Sequence, residues 1–295
     1  MAQTRDRWKL VDGLLALAIA EDIGEADVTC ANVLPRGAVA RGAFVAREAG
    51  VLAGMEVVER LYARLDKGVT VERKVQPGDP FDAGDELAHI QGPAGAVLAG
   101  ERIALNLLQR MSGIATLTHR YVQAVEGTNA RILDTRKTAP GMRTLDKLAV
   151  YLGGGDNHRQ GLYDMILIKD NHIALSSQST DLANAAWAVR QAKEQSKVKV
   201  EVEVDGLEVL RQVLPEEPDV VLLDNMDPDD LREAVQTTGQ LCREWGLRRP
   251  LLEASGSITL QNVGEVARTG VDRISVGALT HSVRALDIGL DIEGA

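Results

Sequence analysis

A chain of 295 residues with a formal net charge of -10 and only 3% aromatic residues has room for one large domain or two ordinary ones. So acidic a protein lacks the basic face needed to wrap DNA, RNA or an anionic membrane, although a positive pocket inside a negative body remains possible. With so few rings the core must be Val, Leu, Ile and Ala, which suits helices packed on a buried parallel sheet. Cys30 and Cys242 stand alone, without a CxxC or an even framework, so reduced thiols in a cytoplasm are expected. The apolar portion of the first 24 residues is broken by charges and followed by no small-residue cleavage site, which reads as neither a signal peptide nor a membrane span.

Leu10, Leu14, Leu15, Leu17 and Ala18 recur at helical spacing, and Gly24 offers a stop. Ala38–Arg47 and Val69–Gln76 collect β-formers, with a helical pattern over Gly54–Leu65 between them. The run QPGDPFDAGDELAHIQGP reads as two short strands punctuated by Pro-Gly-Asp and Ala-Gly-Asp turns. It resembles a lipoyl-carrier hairpin, but neither turn holds a lysine, so turn chemistry explains it. Residues 1 to about 95 are expected to form an α+β domain with an antiparallel sheet. From Ala96 to Glu126 two helical patterns follow, split near Ser112–Gly113.

After that the rhythm changes. Apolar runs at Ile132, Ile166, Val198, Val220, Leu251 and Ile274 alternate with helical segments. Asp181 opens one helix after a serine-rich loop; Asp227, followed by Pro228, opens another. Six β-then-α steps predict a parallel α/β barrel, and the region is shorter than the ~250 residues of a full eight-unit barrel, so an open or incomplete one is expected.

In such barrels the site forms where strands end. The first strand delivers Arg136 and Lys137, and the second Lys169. The third, VKVEVEV, carries Glu201 and Glu203 on one face, because successive side chains alternate. Next come Asp224, then Ser255-Gly256-Ser257, then Val276-Gly277-Ala278. A glycine triplet, Gly153–Gly155, precedes His158 and Arg159; no Gly-Lys-Ser/Thr follows it, so it is not a Walker loop, and alone it suggests only a mobile segment. His158 and His172 lack zinc-type spacing, and His119 and His281 read as structural. Each group also has an ordinary alternative. Arg136 and Lys137 could be a solvated loop, Asp224 a helix cap in competition with Asp227, and the glycine turns no more than turns. Paired glutamates on a strand that should be apolar on both faces do need an explanation. Arginine forks and lysine charges fit carboxylates and phosphates, glycine turns fit phosphate, and Glu203 with Asp224 could hold Mg²⁺. Together they suggest a phosphorylated sugar, a magnesium ion and a separate acidic co-substrate.

The blocks ERIALNLLQRMSGIAT, DTRKTAPGMR, GGGDNHR, ILIKDNH, EVEVD, LLDN, EASGSI and VGALTHS resemble, in order and spacing, the quinolinate phosphoribosyltransferase family. The resemblance runs from about Leu14 to Ile292. It implies an N-terminal α+β domain with its linking helix over 1–112, an open α/β barrel over 113–277 and a tail over 278–295 that returns to the first domain. It implies conversion of quinolinate and phosphoribosyl pyrophosphate to nicotinate mononucleotide, CO₂ and pyrophosphate with Mg²⁺, in a homodimer with shared sites. Arg136, Lys137, His158, Arg159 and Lys169 resemble the quinolinate cradle, and Arg102 an arginine from the other subunit. Glu203 and Asp224 resemble the carboxylates that serve magnesium and ribose. Ser255–Ser257 and Val276–Ala278 resemble the binders of the 5′-phosphate. Many members read Ser-Gly-Gly where this chain has Ser255-Gly256-Ser257, a change that matters if the third position needs positive φ.

Overall fold

Six short apolar runs become the six strands of a parallel sheet, and that sheet positions everything that follows. The structure is a computed structural model that describes residues 2–176 and 183–293; the expected helix start at Asp181 lies outside the described residues. The chain divides into two compact units. The first gathers Met1–His119, Thr138–Gly154 and Leu279–Ala295, and the second Arg120–Lys137 and Gly155–Ala278.

In the first unit, α1 (Ala2–Asp22) and α2 (Val28–Val33) lead into β1 (Val39–Ala46), β2 (Gly50–Val51), α3 (Met55–Leu65), β3 (Thr70–Arg73), β4 (Pro80–Phe81) and β5 (Glu86–Pro93). β1 lies between β5 and the C-terminal strand Ile288–Ile292, both antiparallel, and β3 flanks β5. β1 follows the alternation expected of a half-buried strand, with Phe44 fully buried. Asp12 on α1 grips α3 through Arg60 and through Arg64 Nη2 at 3.0 Å.

The helix expected to break near Ser112–Gly113 does not break. α4 runs unbroken from Ala94 to Ala124. A Cβ on Gly113 would stand 2.2 Å from the Arg284 carbonyl oxygen, so the glycine marks a close backbone approach. Ser112 is fully buried and its hydroxyl takes the Ala53 amide at 3.2 Å. The polar pair at 112–113 is therefore a packing contact inside a helix, which a sequence pattern cannot distinguish from a stop. Just before that pair on α4, Arg110 makes a two-pronged bond to Asp146 at 2.8 and 2.9 Å, and Asp146 is fully buried.

In the second unit the strands are β6 (Arg131–Leu133), β7 (Ile166–Ile168), β8 (Val200–Val204), β9 (Val220–Asp224), β10 (Leu251–Ser255) and β11 (Arg273–Ser275). All pairings are parallel, in the order β6-β11-β10-β9-β8-β7. The first strand thus returns to pair with the last, and the opening falls between β6 and β7: an open barrel. The register explains the paired glutamates. Val200, Val202, Val204, Val221, Leu223, Leu252, Ala254 and Ile274 form one face and are buried. Glu201, Glu203, Leu222, Asp224, Glu253, Ser255 and Ser275 alternate onto the other. One face is hydrocarbon, as a helix-covered sheet requires, and the other carries the polar groups.

Candidate active site

The carboxyl ends of these strands surround a cavity of about 600 Å³. Thr135, Arg136 and Lys137 line it after β6, Lys169 after β7, Glu203 from β8, Asp224 and Asn225 from β9, and Ser255, Gly256, Ser257 and Ser275 from β10 and β11. His158 and Arg159 enter from the loop before β7. The structure therefore brings together Arg136, Lys137, His158, Arg159, Lys169, Glu203, Asp224, Ser255, Gly256 and Ser257. Val276, Gly277 and Ala278 follow Ser275 in the chain, and it is Ser275 that lines the cavity. Arg102 is an exposed residue of α4 and not one of the lining residues.

The loop that delivers His158 and Arg159 is ordered by a buried carboxylate. Asp134, fully buried at the end of β6, accepts from Asn157 Nδ2 at 2.7 Å and from His158 N at 2.9 Å. The glycine triplet is tied into regular structure: Gly153 N bonds to Ala149 O at 2.9 Å, and Asp156 N bonds to Ile132 O at 2.8 Å. The expected mobile segment is a helix end followed by a strand-like bridge.

Arg159 is only 9% exposed, and its Nη1 donates to Met165 O at 3.2 Å. Burial first, and then the neighbouring Arg136 charge, lower its pKa. Two guanidiniums that disfavour each other in one cavity call for an anion between them. Lys169 Nζ forms an ion pair with Glu203 Oε2. Asp224 is not a helix cap: Asp227 Oδ1 takes the amides of Asp229 and Asp230 at 2.9 and 3.0 Å. Asp224 instead faces the cavity and accepts from Asn225 Nδ2 at 2.8 Å.

The turn after β10 is tight. A Cβ on Gly256 would sit 2.1 Å from Asn225 Oδ1, and Gly256 has φ +97°. Ser257 has φ +52° and Asn225 φ +53°, so the third position of the Ser255-Gly256-Ser257 turn does use left-handed backbone here. Asn262 Nδ2 braces the turn by donating to Ser257 O at 3.0 Å.

Behind the cavity lies a group that the sequence did not reveal. His158 Nε2 is 2.9 Å from Glu201 Oε2 and 3.4 Å from Glu253 Oε1, with both glutamates fully buried. Ser275 Oγ donates to Glu253 Oε1, and Arg273 Nη1 is 3.9 Å from Glu253 Oε2. Burial pushes the Glu201 carboxyl up. Burial opposes charge on the His158 ring and the two carboxylates favour it, so the cluster as a whole holds its proton more tightly than a free imidazole does. These are one titration shared by the cluster. The Arg159 amide donates to Nδ1 at 2.7 Å, so the extra proton belongs on the carboxylate side and the ring carries its own at Nε2. His158, expected as part of the cationic cradle, has both ring nitrogens engaged by the protein itself. Glu253 was hidden because EASGS reads as the approach to a turn; its spacing of two from Ser255 was the available signal.

An open α/β barrel whose strand ends set cations opposite carboxylates defines an enzyme of anionic, phosphorylated substrates. The chain belongs to the quinolinate phosphoribosyl transferase family: the model of the family's N-terminal domain matches residues 27–112, and that of its C-terminal domain matches residues 114–291. It is 46% identical over 270 residues to the nicotinate-nucleotide pyrophosphorylase [carboxylating] of Mycobacterium leprae, covering 90% of this chain and 91% of that one. It is 41% identical over 298 residues to a mitochondrial quinolinate phosphoribosyltransferase [decarboxylating] of Nicotiana tabacum, covering 95% and 81%. The solved nicotinate-nucleotide pyrophosphorylase of Francisella tularensis superposes with a TM-score of 0.86 at 34% identity, covering 97% of this chain and 96% of that chain. No helix among the described residues is long and apolar enough to cross a membrane.

Proposed function

We propose that the protein transfers the phosphoribosyl group of phosphoribosyl pyrophosphate to quinolinate and releases CO₂ and pyrophosphate, forming nicotinate mononucleotide for NAD synthesis. The observation that carries this reading is the single cavity in which Arg136, Arg159 and Lys169 face Glu203 and Asp224. The cations would grip the two carboxylates of the acid and orient its ring nitrogen toward the ribose C1. Ser255–Ser257, with the neighbouring Val276–Ala278 segment, would receive the 5′-phosphate through backbone N–H groups and hydroxyls. Lys137 would balance charge on the departing pyrophosphate. No protein nucleophile is needed: the nitrogen attacks C1 as the C1–O bond to pyrophosphate breaks. The quaternised ring then accepts the electron pair left when the adjacent carboxylate departs as CO₂, and a proton completes the ring.

Glu203 uses Oε2 for Lys169 and Asp224 uses Oδ2 for Asn225, so Oε1 and Oδ1 are hard oxygen donors suited to Mg²⁺. Bound there, the ion would neutralise pyrophosphate charge. We further read the enzyme as a cytoplasmic homodimer with shared sites. Arg102, exposed on α4, is the residue to be lent to the partner's cavity, and the unpaired thiols Cys30 and Cys242 suit a reducing compartment.

The test is turnover with quinolinate, phosphoribosyl pyrophosphate and Mg²⁺. One CO₂ should appear for each nicotinate mononucleotide formed. Nucleotide formation from a different pyridine acid without CO₂, and none from quinolinate, would overturn the assignment.

A further inference from the structure

Glu201 and Glu253 are fully exposed to nothing but protein, and neither lines the cavity. Taking a carboxylate out of water costs several kcal/mol, and an apolar side chain of similar volume would fill the same space at no such cost. Neither oxygen of Glu201 makes a hydrogen bond among the described residues, and neither does Glu253 Oε2, so the pair is not explained by satisfied packing. Both carboxylates converge instead on one atom, His158 Nε2. On the opposite side of the ring, Nδ1 accepts the Arg159 amide at 2.7 Å, and just before it the His158 amide is anchored on Asp134 at 2.9 Å. The ring is held at both ends, and the next residue in the chain is the buried arginine of the cavity. The same geometry excludes a metal ion between the three groups. A nitrogen that accepts a backbone N–H carries no proton, so Nε2 must carry one and cannot be a ligand.

We propose that Glu201 and Glu253 are positioning residues that hold the His158 ring by Nε2, so that Nδ1 captures the Arg159 amide and sets where the Arg159 guanidinium enters the cavity. The glutamates act through His158 and Arg159 and touch no substrate. Ser275 orients Glu253 by donating to its Oε1. This rests on the reading of the cavity as the quinolinate site, and it concerns the acid side of that site alone.

The test compares Glu201→Gln with Glu201→Leu. Glutamine keeps an oxygen beside Nε2 and should hold the KM for quinolinate within about threefold of wild type; leucine removes it and should raise that KM about tenfold or more, because the Arg159 guanidinium is then displaced from its charge-assisted contact. In both variants the KM for phosphoribosyl pyrophosphate should stay within about twofold, since the turns that receive its 5′-phosphate follow β10 and β11 and Glu203, the one β8 residue assigned to it, is left in place. A leucine variant with the wild-type KM for quinolinate, or one in which both KM values rise together, overturns the proposal. If leucine does not fold, ¹⁵N spectra of the wild-type histidine rings decide. His158 should be a neutral ring protonated at Nε2 with Nδ1 accepting, and a ring protonated at both nitrogens overturns the brace. Wild-type turnover of quinolinate, run alongside, separates the two levels. Without it the substrate assignment falls, while the ring spectrum still reports on the brace.

Discussion

Replacing Arg136 with Ala should separate binding from stability. Arg136 is half-buried at the end of β6, and its charge lowers the proton affinity of the buried Arg159 guanidinium. In the free protein the two cations repel each other. An anion placed between them would turn that cost into attraction. Removing Arg136 deletes one charge-assisted contact to the acid, about 1.5–3 kcal/mol. That corresponds to roughly a 10- to 150-fold weaker affinity for quinolinate. The free protein loses a repulsive neighbour, so its thermal midpoint should hold or rise. The assay is the KM for quinolinate at saturating phosphoribosyl pyrophosphate, together with a calorimetric melt of the unliganded protein. A variant with the wild-type KM, or one whose melting point falls by several degrees while binding is unchanged, would show that Arg136 is a structural residue and not one wall of an anion site.

Ser257→Gly should stabilise the protein by about 1 kcal/mol, raising the midpoint by roughly 2–4 °C in a melt, because glycine removes the cost of a left-handed φ of +52°. Asp146→Ala should cost about 3–5 kcal/mol in denaturant unfolding, since it strands the Arg110 guanidinium beside a fully buried position. Asp12 is held down to about 2 chiefly by its hydrogen bond to Arg60; burial opposes this, and the hydrogen bond to Arg64 adds to the lowering. A lowered folded pKa gives stability that is present above the ordinary value of 3.8 and is lost as pH falls through about 2. The stability gap between wild type and Asp12→Asn should therefore be full at pH 6 and shrink between pH 4 and pH 2, as urea titrations at stepped pH would show; a constant gap would contradict the clamp. Gly113→Val should destabilise severely, because a side chain would collide with the Arg284 carbonyl.

Much of this was legible because its causes are local. The six parallel strands lie within a residue or two of their apolar runs, since a buried strand must be continuous hydrocarbon on at least one face. Asp227 with Pro228 marks a helix start by the chemistry of the first turn; the sequence left Asp224 as a rival cap, and the hydrogen bonds of Asp227 to Asp229 and Asp230 decide between them. The cavity followed from one rule, that groups at strand ends converge. What was hidden depends on partners distant in sequence. Gly113 reads as a break until Arg284 is seen against it. Glu201 looked like the companion of Glu203, yet one points behind the cavity at His158 while the other meets Lys169 within it. Glu253 and Ser275 acquire meaning only through the register that lays β10 beside β11. The grouping of Thr138–Gly154 with the first unit has no local sign at all.

The most direct measurement is a crystal structure with quinolinate bound. Both carboxylates should lie among Arg136, Arg159 and Lys169, with the ring nitrogen turned toward Glu203 and Asp224. Quinolinate seated elsewhere, with those three cations untouched, would contradict the assignment of the cavity.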